Sequence, residues 1–147
     1  MNLISFDRME PEKGYMLLRD FRKEDNNKIL IIRTQRTGAM SNQTLNRNSG
    51  FMQYIFKKSM RVNLPRTSSE MATVGRAVSR ADLQPGDMVF FSPGGRRISH
   101  VGMYIGNGRM VHAPRTGKNI EITSIASGYW AKYYTTARRV SNSDRFR

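Results

Sequence analysis

Short apolar runs broken by turn-forming residues fill the second half of the chain and restrict what it can fold into. After a Pro85-Gly86 turn the runs are MVFFS, SHVGMYIG, RMVHAP, NIEITS and YYTTARRV, separated by glycine, proline and asparagine. Segments of this length and composition, bounded by such residues, predict β-strands. We therefore expect consecutive short strands over about residues 88–140.

A helical pattern precedes these strands. In the segment after Ser49, which is predicted to cap the helix, four apolar residues recur at helical spacing: Phe51, Met52, Ile55 and Phe56. Pro65 marks the end of this segment. The Thr67-Ser-Ser-Glu sequence predicts a second short helix through about Val74. Helices followed by consecutive short strands indicate the α+β class with an antiparallel sheet.

The Gly106-Asn107-Gly108 turn predicts a β-hairpin that decides where the two histidines lie. A two-residue loop would put His112 opposite Met103, on the face away from His100. A three-residue loop would put His112 opposite Gly102. Because strand side chains alternate between faces, the second register places both histidines and Tyr104 together and leaves an apolar face behind them. We predict this second register.

No cysteine occurs in the 147 residues, a length that fits one domain. Its absence excludes a disulfide framework, a cysteine-ligated zinc site and a thiolate nucleophile. With two histidines and 11 acidic residues, we expect no metal and no cofactor. The formal net charge of +14 indicates an anionic partner, which could be nucleic acid, a membrane surface or an acidic cell-wall polymer.

The chain changes character near residue 48. Residues 1–47 carry nine basic and six acidic residues and hold one strand-like apolar run at 28–32; we leave this segment unassigned, as divergent or disordered. Residues 48–140 form the predicted domain, and 141–147 a polar basic tail. No apolar run is long enough to span a bilayer, and no secretory signal is visible, so the localisation and the oligomeric state stay open.

Two histidines on one face of a hairpin could simply be a hydrogen-bonded structural pair. A catalytic pair would need a nucleophile. In papain-like chemistry the nucleophile is a cysteine at a helix N-terminus, where the helix dipole and an imidazole lower the thiol pKa, and a third polar group orients the imidazole. Asn48 stands at the predicted helix N-terminus, and an amide is not a nucleophile.

The order of these segments resembles the NlpC-type cell-wall cysteine peptidases. The resemblance is nearly continuous from residue 49 to about 140 and depends on the order and spacing of short motifs. They are SGF (49–51), QYIFK (53–57), LPRTS (64–68), DLQPGDMVFF (82–91), ISHVGMYIGNG (98–108), MVHAPRTG (110–117), YW (129–130) and ARRV (137–140).

The resemblance implies a papain-like domain in which an N-terminal helix packs on an antiparallel sheet, and an activity that hydrolyses peptide bonds in peptidoglycan stem peptides outside the cytoplasm. His100 matches the general base and His112 the residue that orients it. The family's nucleophile is a cysteine preceded by aspartate, and Asn48 and Arg47 occupy these two positions. A Tyr-x-Trp-Gly-Gly-like family segment has no equivalent in residues 1–47, so the N-terminal part of the family fold is missing or divergent.

Three interpretations follow. The chain could bind stem peptides or anionic wall polymers without cutting them, with any residual catalysis by another route being minor. It could be a truncated or frameshifted version of an active peptidoglycan endopeptidase, with residues 1–47 altered. It could bind nucleic acid through its basic charge and aromatics, although no nucleic-acid-binding motif is present and the helix aromatics fit core packing. Basic residues flank the histidine hairpin as a candidate rim: Arg96, Arg97, Arg115 and Lys118.

Overall fold

Two antiparallel sheets and three helices occupy the residues that the computed structural model describes, which are 4–10, 15–20, 29–33, 48–60, 62–113 and 121–140. The helices are α1 (Asn48–Met60), α2 (Ser68–Met71) and α3 (Gly128–Tyr133). The strands are β1 (Ile4–Glu10), β2 (Tyr15–Asp20), β3 (Ile29–Arg33), β4 (Arg76–Ala77), β5 (Met88–Phe91), β6 (His100–Gly106), β7 (Arg109–His112), β8 (Glu121–Ser124) and β9 (Tyr134–Arg139).

The larger sheet has six strands in the order β4-β9-β5-β6-β7-β8, and every pair in it is antiparallel. Strands β5 to β8 are neighbours in the order of the chain. The last strand, β9, instead returns to the other side of β5. This mixture of helices and an antiparallel sheet confirms the predicted α+β class.

Helix α1 packs on one face of this sheet. Its four apolar residues are fully buried, as the helical spacing predicted: Phe51, Met52, Ile55 and Phe56. They form one cluster with Phe90 of β5 and with Val101 and Met103 of β6. The helix begins at Asn48, so Ser49 lies in its first turn and is not the cap that we predicted. Burial of this apolar stripe, at about 25 cal/mol per Å² of area removed from water, holds α1 on the sheet.

The start of α2 follows the predicted capping box. Thr67 is the N-cap residue: its hydroxyl accepts a hydrogen bond from the Glu70 backbone N–H at 3.2 Å and donates to the Glu70 carboxylate at 2.7 Å. The helix ends at Met71, three residues before the predicted end at Val74. Beyond Met71 the backbone continues in tighter turns, in which the Thr73 N–H donates to the Glu70 carbonyl at 3.1 Å and the Val74 N–H to the Met71 carbonyl at 3.2 Å, and Gly75 with a φ of 65° ends them.

The opposite face of the sheet carries a second apolar cluster. Val89 and Phe91 of β5, Met110 of β7 and Ala137 of β9 are its fully buried members. All four residues of β5 are fully buried because their side chains alternate between the two clusters. Strand β5 is therefore covered on both faces.

The β6–β7 hairpin has the predicted face assignment but reaches it differently. Gly106 pairs with Arg109, so the loop is the two-residue Asn107-Gly108 turn and not the three-residue loop we expected. A β-bulge at Ile105 then shifts the register, and Met103 pairs with Val111. Asn107 and Gly108 have positive φ angles of 54° and 69°, as a type I′ turn requires. The extra residue restores the register that brings the histidines to one face.

An ion pair buried below the surface joins β5 to the end of β9. Arg139 donates to both carboxylate oxygens of Asp87 at 2.8 Å and to the carbonyl of Asp82 at 2.9 Å. Asp87 is fully buried, and the Gln84 N–H also donates to it at 2.9 Å. Hydrogen bonding to Asp87 raises the pKa of Arg139 further above its usual range. The 82–87 turn is thus a structural element.

Several predictions concern the N-terminal segment, the domain boundaries and residues outside the described ranges. The apolar run in the N-terminal segment forms β3, which pairs with β2. The domain boundaries stay a prediction. Residues 34–47 of the unassigned segment, the rim residues Arg115 and Lys118 and the tail 141–147 lie outside the described residues. Among the helices that are described, none is long and apolar enough to cross a membrane.

Candidate active site

The two histidines meet on the face of the sheet opposite α1. His100 is the first residue of β6, and His112 is the last residue of β7. Their imidazoles share a hydrogen bond of 2.7 Å between Nε2 of His100 and Nδ1 of His112. The predicted pairing of these side chains on one face is confirmed. Their roles as base and orienting residue remain a prediction.

Gly102 makes room for this contact. The register continues from the Met103–Val111 pair to place Gly102 opposite His112. A Cβ atom on Gly102 would lie 2.5 Å from Sδ of Met110 and 3.2 Å from Cβ of His112. The distance of 2.5 Å is shorter than non-bonded contacts of Cβ atoms in proteins. A side chain at position 102 would therefore force Met110 or His112 to move. The glycine lets the His112 ring lean towards His100.

Burial makes both imidazoles poor bases. The exposed fraction is 5% for His100 and zero for His112. Desolvation lowers the pKa of His100 from 6.5 to about 4. Desolvation, and secondarily the charge that His100 would carry, lowers the pKa of His112 to about 3. Both rings are therefore neutral at physiological pH.

The neighbours of His112 indicate where the protons lie. Nε2 of His112 is 3.0 Å from the Thr123 hydroxyl and 3.8 Å from a carboxylate oxygen of Glu121, both on β8. A carboxylate favours an N–H on the nitrogen that faces it, so we infer that His112 carries its proton on Nε2. Nδ1 of His112 then accepts from Nε2–H of His100. The lone pair of His100 is then on Nδ1.

Helix α3 brings Trp130 over the pair. Phe91 of β5 pairs with His100 on one side and with Tyr134 of β9 on the other, so these three residues form one row at one end of the sheet. Helix α3 leads directly into β9 and therefore lies at this same end. Trp130 stacks on His100 with ring centroids 4.6 Å apart and meets His112 edge-on at 5.3 Å.

The position expected for a nucleophile is the start of α1. Asn48 is the first residue of this helix, where aligned peptide dipoles favour negative charge. Its side chain lies outside what the structure describes, so Asn48 is placed by its backbone alone. The rim residues Arg96 and Arg97 are exposed in the turn between β5 and β6, shortly before His100. Tyr104 is structural: its hydroxyl accepts a hydrogen bond from the Gly108 N–H at 3.1 Å.

Sequence reasoning missed three residues around the histidines: Glu121, Thr123 and Trp130. The positions of Glu121 and Thr123 beside His112 depend on the β7–β8 register, which pairs His112 with Glu121. No turn signal in the sequence predicts that register. Trp130 lies in α3, whose six residues are too few to show helical periodicity. Within the part of the chain that the structure describes, no group of three or more His, Asp or Glu side chains could hold a metal ion.

The chain is similar to proteins that are named as murein endopeptidases. Two relatives from Escherichia coli K12 are similar to it: the murein DD-endopeptidase MepH, 40% identical over 119 residues, and the murein DD-endopeptidase MepS/murein LD-carboxypeptidase, 45% identical over 94 residues. The alignments cover 78% and 63% of this chain. They cover 44% and 48% of the relatives, so the chain spans about half the length of the curated relatives it matches.

The fold has counterparts among solved structures. A crystal structure of an NlpC/P60 family protein from Bacillus cereus matches with a TM-score of 0.59 over 91% of this chain and 53% of the other. Its sequence identity of 22% supports the fold alone. The model of the NlpC/P60 family matches residues 36–139, which is more than half of the chain. The chain therefore belongs to the NlpC/P60 family.

Proposed function

We propose that this protein binds peptidoglycan stem peptides without hydrolysing them. The observation that carries the proposal is the combination of a complete histidine pair with Asn48 at the first residue of α1, in a chain that has no cysteine. Loss of the nucleophile removes most of the rate enhancement of such a site, while the groups that bind and orient a substrate can persist. The relatives named as murein endopeptidases support cell-wall peptides as the ligand.

The hypothesis of a frameshift before Ser49 is less well supported. The family model begins at residue 36, so similarity to the family extends across the position where the composition changes. A frameshift ending at residue 48 predicts similarity that begins only after it. Translation of the encoding DNA in the other two frames tests this alternative: a Tyr-Gly-Gly and Asp-Cys pattern immediately upstream of the Ser49 codon would favour it over our proposal.

Sedimentation with purified sacculi tests binding. We expect the protein to co-sediment at low salt and to be released by an excess of soluble muropeptides. Comparison with the same concentration of unrelated peptides of equal charge separates recognition of the stem peptide from attraction by the net charge of +14, because both competitors act on that charge equally. Failure to sediment, or retention that soluble muropeptides leave unchanged, would contradict the proposal.

The same muropeptides test the absence of cleavage. We expect no new amine termini after prolonged incubation with the protein. Asn48→Cys would place a thiol where the helix dipole lowers its pKa. We nevertheless expect hydrolysis by this variant to stay close to that of Asn48→Ala, because Arg47 replaces the family's aspartate and small errors of geometry abolish most catalysis. Cleavage by the unmodified protein would overturn the proposal, and strong activity from Asn48→Cys alone would show that the rest of the site is intact.

A further inference from the structure

The indole of Trp130 borders the histidine pair from the side of α3. Its plane is inclined by 27° to that of His100 at a centroid distance of 4.6 Å, and it stands nearly perpendicular to His112. Phe91 of β5 contacts the same indole edge-on at 4.9 Å and lies 6.1 Å from His100. The imidazole of His100 is therefore bordered by aromatic rings from two different elements.

We infer that Trp130 is a positioning residue, whose flat face fixes the plane of the His100 ring and keeps water away from its hydrogen bond to His112. The terminal torsion of a histidine side chain is soft, so the backbone of β6 alone leaves the plane of the ring poorly defined. The His100–His112 bond requires Nε2 to point at Nδ1, and a tilt of either ring weakens it. A stacked indole opposes such a tilt and fills the space through which water would approach.

Charged groups on the neighbouring elements do not offer the same support. Glu121 of β8 lies near His112, on the side away from His100, and is more than half exposed. On α3, the Lys132 ammonium lies over the ring of Tyr133. The Arg80 guanidinium lies over the ring of Tyr134 and donates to the Ile125 carbonyl. Phe91 and Trp130 both contact the ring of His100, and Trp130 provides the stacked contact.

The composition makes a direct test simple. The chain has two histidines and one tryptophan, so ring signals in nitrogen-15 spectra have few candidates. In the unmodified protein near neutral pH we expect the Nε2–H proton of His100 to exchange slowly with water, and a nitrogen–nitrogen coupling across the hydrogen bond between the two rings. Both signals report the orientation and dryness of the pair without any ligand, so the test is independent of the proposed binding function.

Two substitutions separate stacking from simple space filling. Trp130→Phe keeps a flat ring and should keep the coupling. Trp130→Leu keeps an apolar side chain but no flat face, and should lose the coupling and exchange the ring proton about tenfold faster or more. Tyr129→Ala, which removes the exposed neighbour of the indole, serves as the control and should match the unmodified protein. Dispersed amide spectra establish that each variant is folded. An unchanged coupling and exchange rate in Trp130→Leu would overturn the inference, and so would an equal loss in Tyr129→Ala.

Discussion

His100 and His112 are buried, neutral and hydrogen-bonded to each other, and these properties link the site to the stability of the fold. A neutral pair needs one N–H donor and one acceptor nitrogen, and the observed 2.7 Å bond satisfies both. Addition of a proton to either ring introduces a charge into a site from which water is excluded. The unfolded chain accepts that proton without this cost.

We therefore expect stability to fall as the pH drops below about 6.5. Between the unfolded pKa near 6.5 and the folded values of about 4 for His100 and about 3 for His112, the unfolded state binds more protons, so acid favours unfolding. At pH 5 the loss relative to pH 7.5 should be roughly 2 kcal/mol for each histidine that is fully protected. Urea unfolding at the two pH values measures it. The control is His100→Gln, in which the difference should shrink; equal stability of the unmodified protein at both pH values would contradict the burial of the pair.

The packing around Gly102 leads to a second prediction. Gly102→Ala should lower the free energy of unfolding by about 1–3 kcal/mol, the usual cost of overpacking, and should weaken the bond between the histidines. The added methyl group would lie too close to Met110 and would crowd His112. Gly94→Ala is a matched control, because no atom lies within 4 Å of a Cβ built there, and its effect should stay within about 0.5 kcal/mol. Equal effects of the two substitutions would show that the space above Gly102 is not limiting.

The hairpin that carries the histidines follows from short-range patterns, whereas the residues that surround them depend on long-range pairing. The shared face of His100 and His112 was predicted, but through a three-residue loop. The two-residue Asn107-Gly108 turn alone would separate them, and the unpredicted bulge at Ile105 brings them to one face. The contacts from Thr123 and Trp130 were not predictable, because they depend on the β7–β8 register and on the return of β9 beside β5. Neither pairing is fixed by a tight turn. Local sequence determines the hairpin, whereas packing of distant segments determines what surrounds it.

At the scale of elements, the Asp87–Arg139 ion pair ties the first strand of the hairpin region to the last strand of the sheet. The pair joins residues at the start of β5 and the end of β9, and a further bond from Arg139 to the Asp82 carbonyl fixes the preceding turn. Sequence patterns identified the turn but gave no indication of its partner, which lies 52 residues away. One buried carboxylate thus joins the turn before β5 to the end of β9.

Arg139→Met should destabilise the fold by about 3–5 kcal/mol, the cost of removing one partner from a buried ion pair. Methionine approximates the length of the side chain but leaves the Asp87 carboxylate without its two strongest donors. Arg138→Met is the matched control: among the described residues its buried Nε has no hydrogen-bond partner, so the change should cost less than about 1 kcal/mol. Chemical denaturation measures both. A loss of similar size in the two variants would assign the effect to side-chain packing.

Prediction succeeded better for some elements than for others. The apolar stripe of α1 and the capping box of α2 are repeated or short-range signals, and both elements lie where they were expected. The start of α1 was placed too late: Ser49 was predicted to cap the helix, which begins at Asn48. Helix α3 was missed because three of its six residues are aromatic, which favours strands over helices.

At the scale of the whole molecule, positive charge is the dominant property. Exposed basic residues occur on several described segments: Lys57, Arg66, Arg76, Arg80, Arg96, Arg97 and Lys132. The exposed acidic residues there are fewer: Glu70, Asp82 and Glu121. Such an excess attracts anionic surfaces in general and does not by itself identify a ligand.

We expect sedimentation with sacculi to weaken as salt is added, because the Debye length falls from about 10 Å at 0.1 M to about 3 Å at 1 M. Arg96→Ser with Arg97→Ser removes two charges from the turn that precedes His100. Arg66→Ser with Arg76→Ser removes the same charge from other exposed positions. The first pair should reduce retention severalfold more than the second if these arginines contact the ligand carboxylates. Equal reductions would attribute the retention to net charge and not to the rim beside the histidines.

The bulge at Ile105 constrains how this hairpin can change length during evolution. Side chains on paired strands alternate with a period of two, so losing the one extra residue would exchange the two faces of β7 and turn His112 towards the apolar cluster beneath α1. Insertions or deletions between His100 and His112 are therefore tolerated only in even numbers, or when a compensating bulge arises nearby. The parity of this spacing, more than the identity of the loop residues, is what descendants of the chain must conserve to keep the pair together.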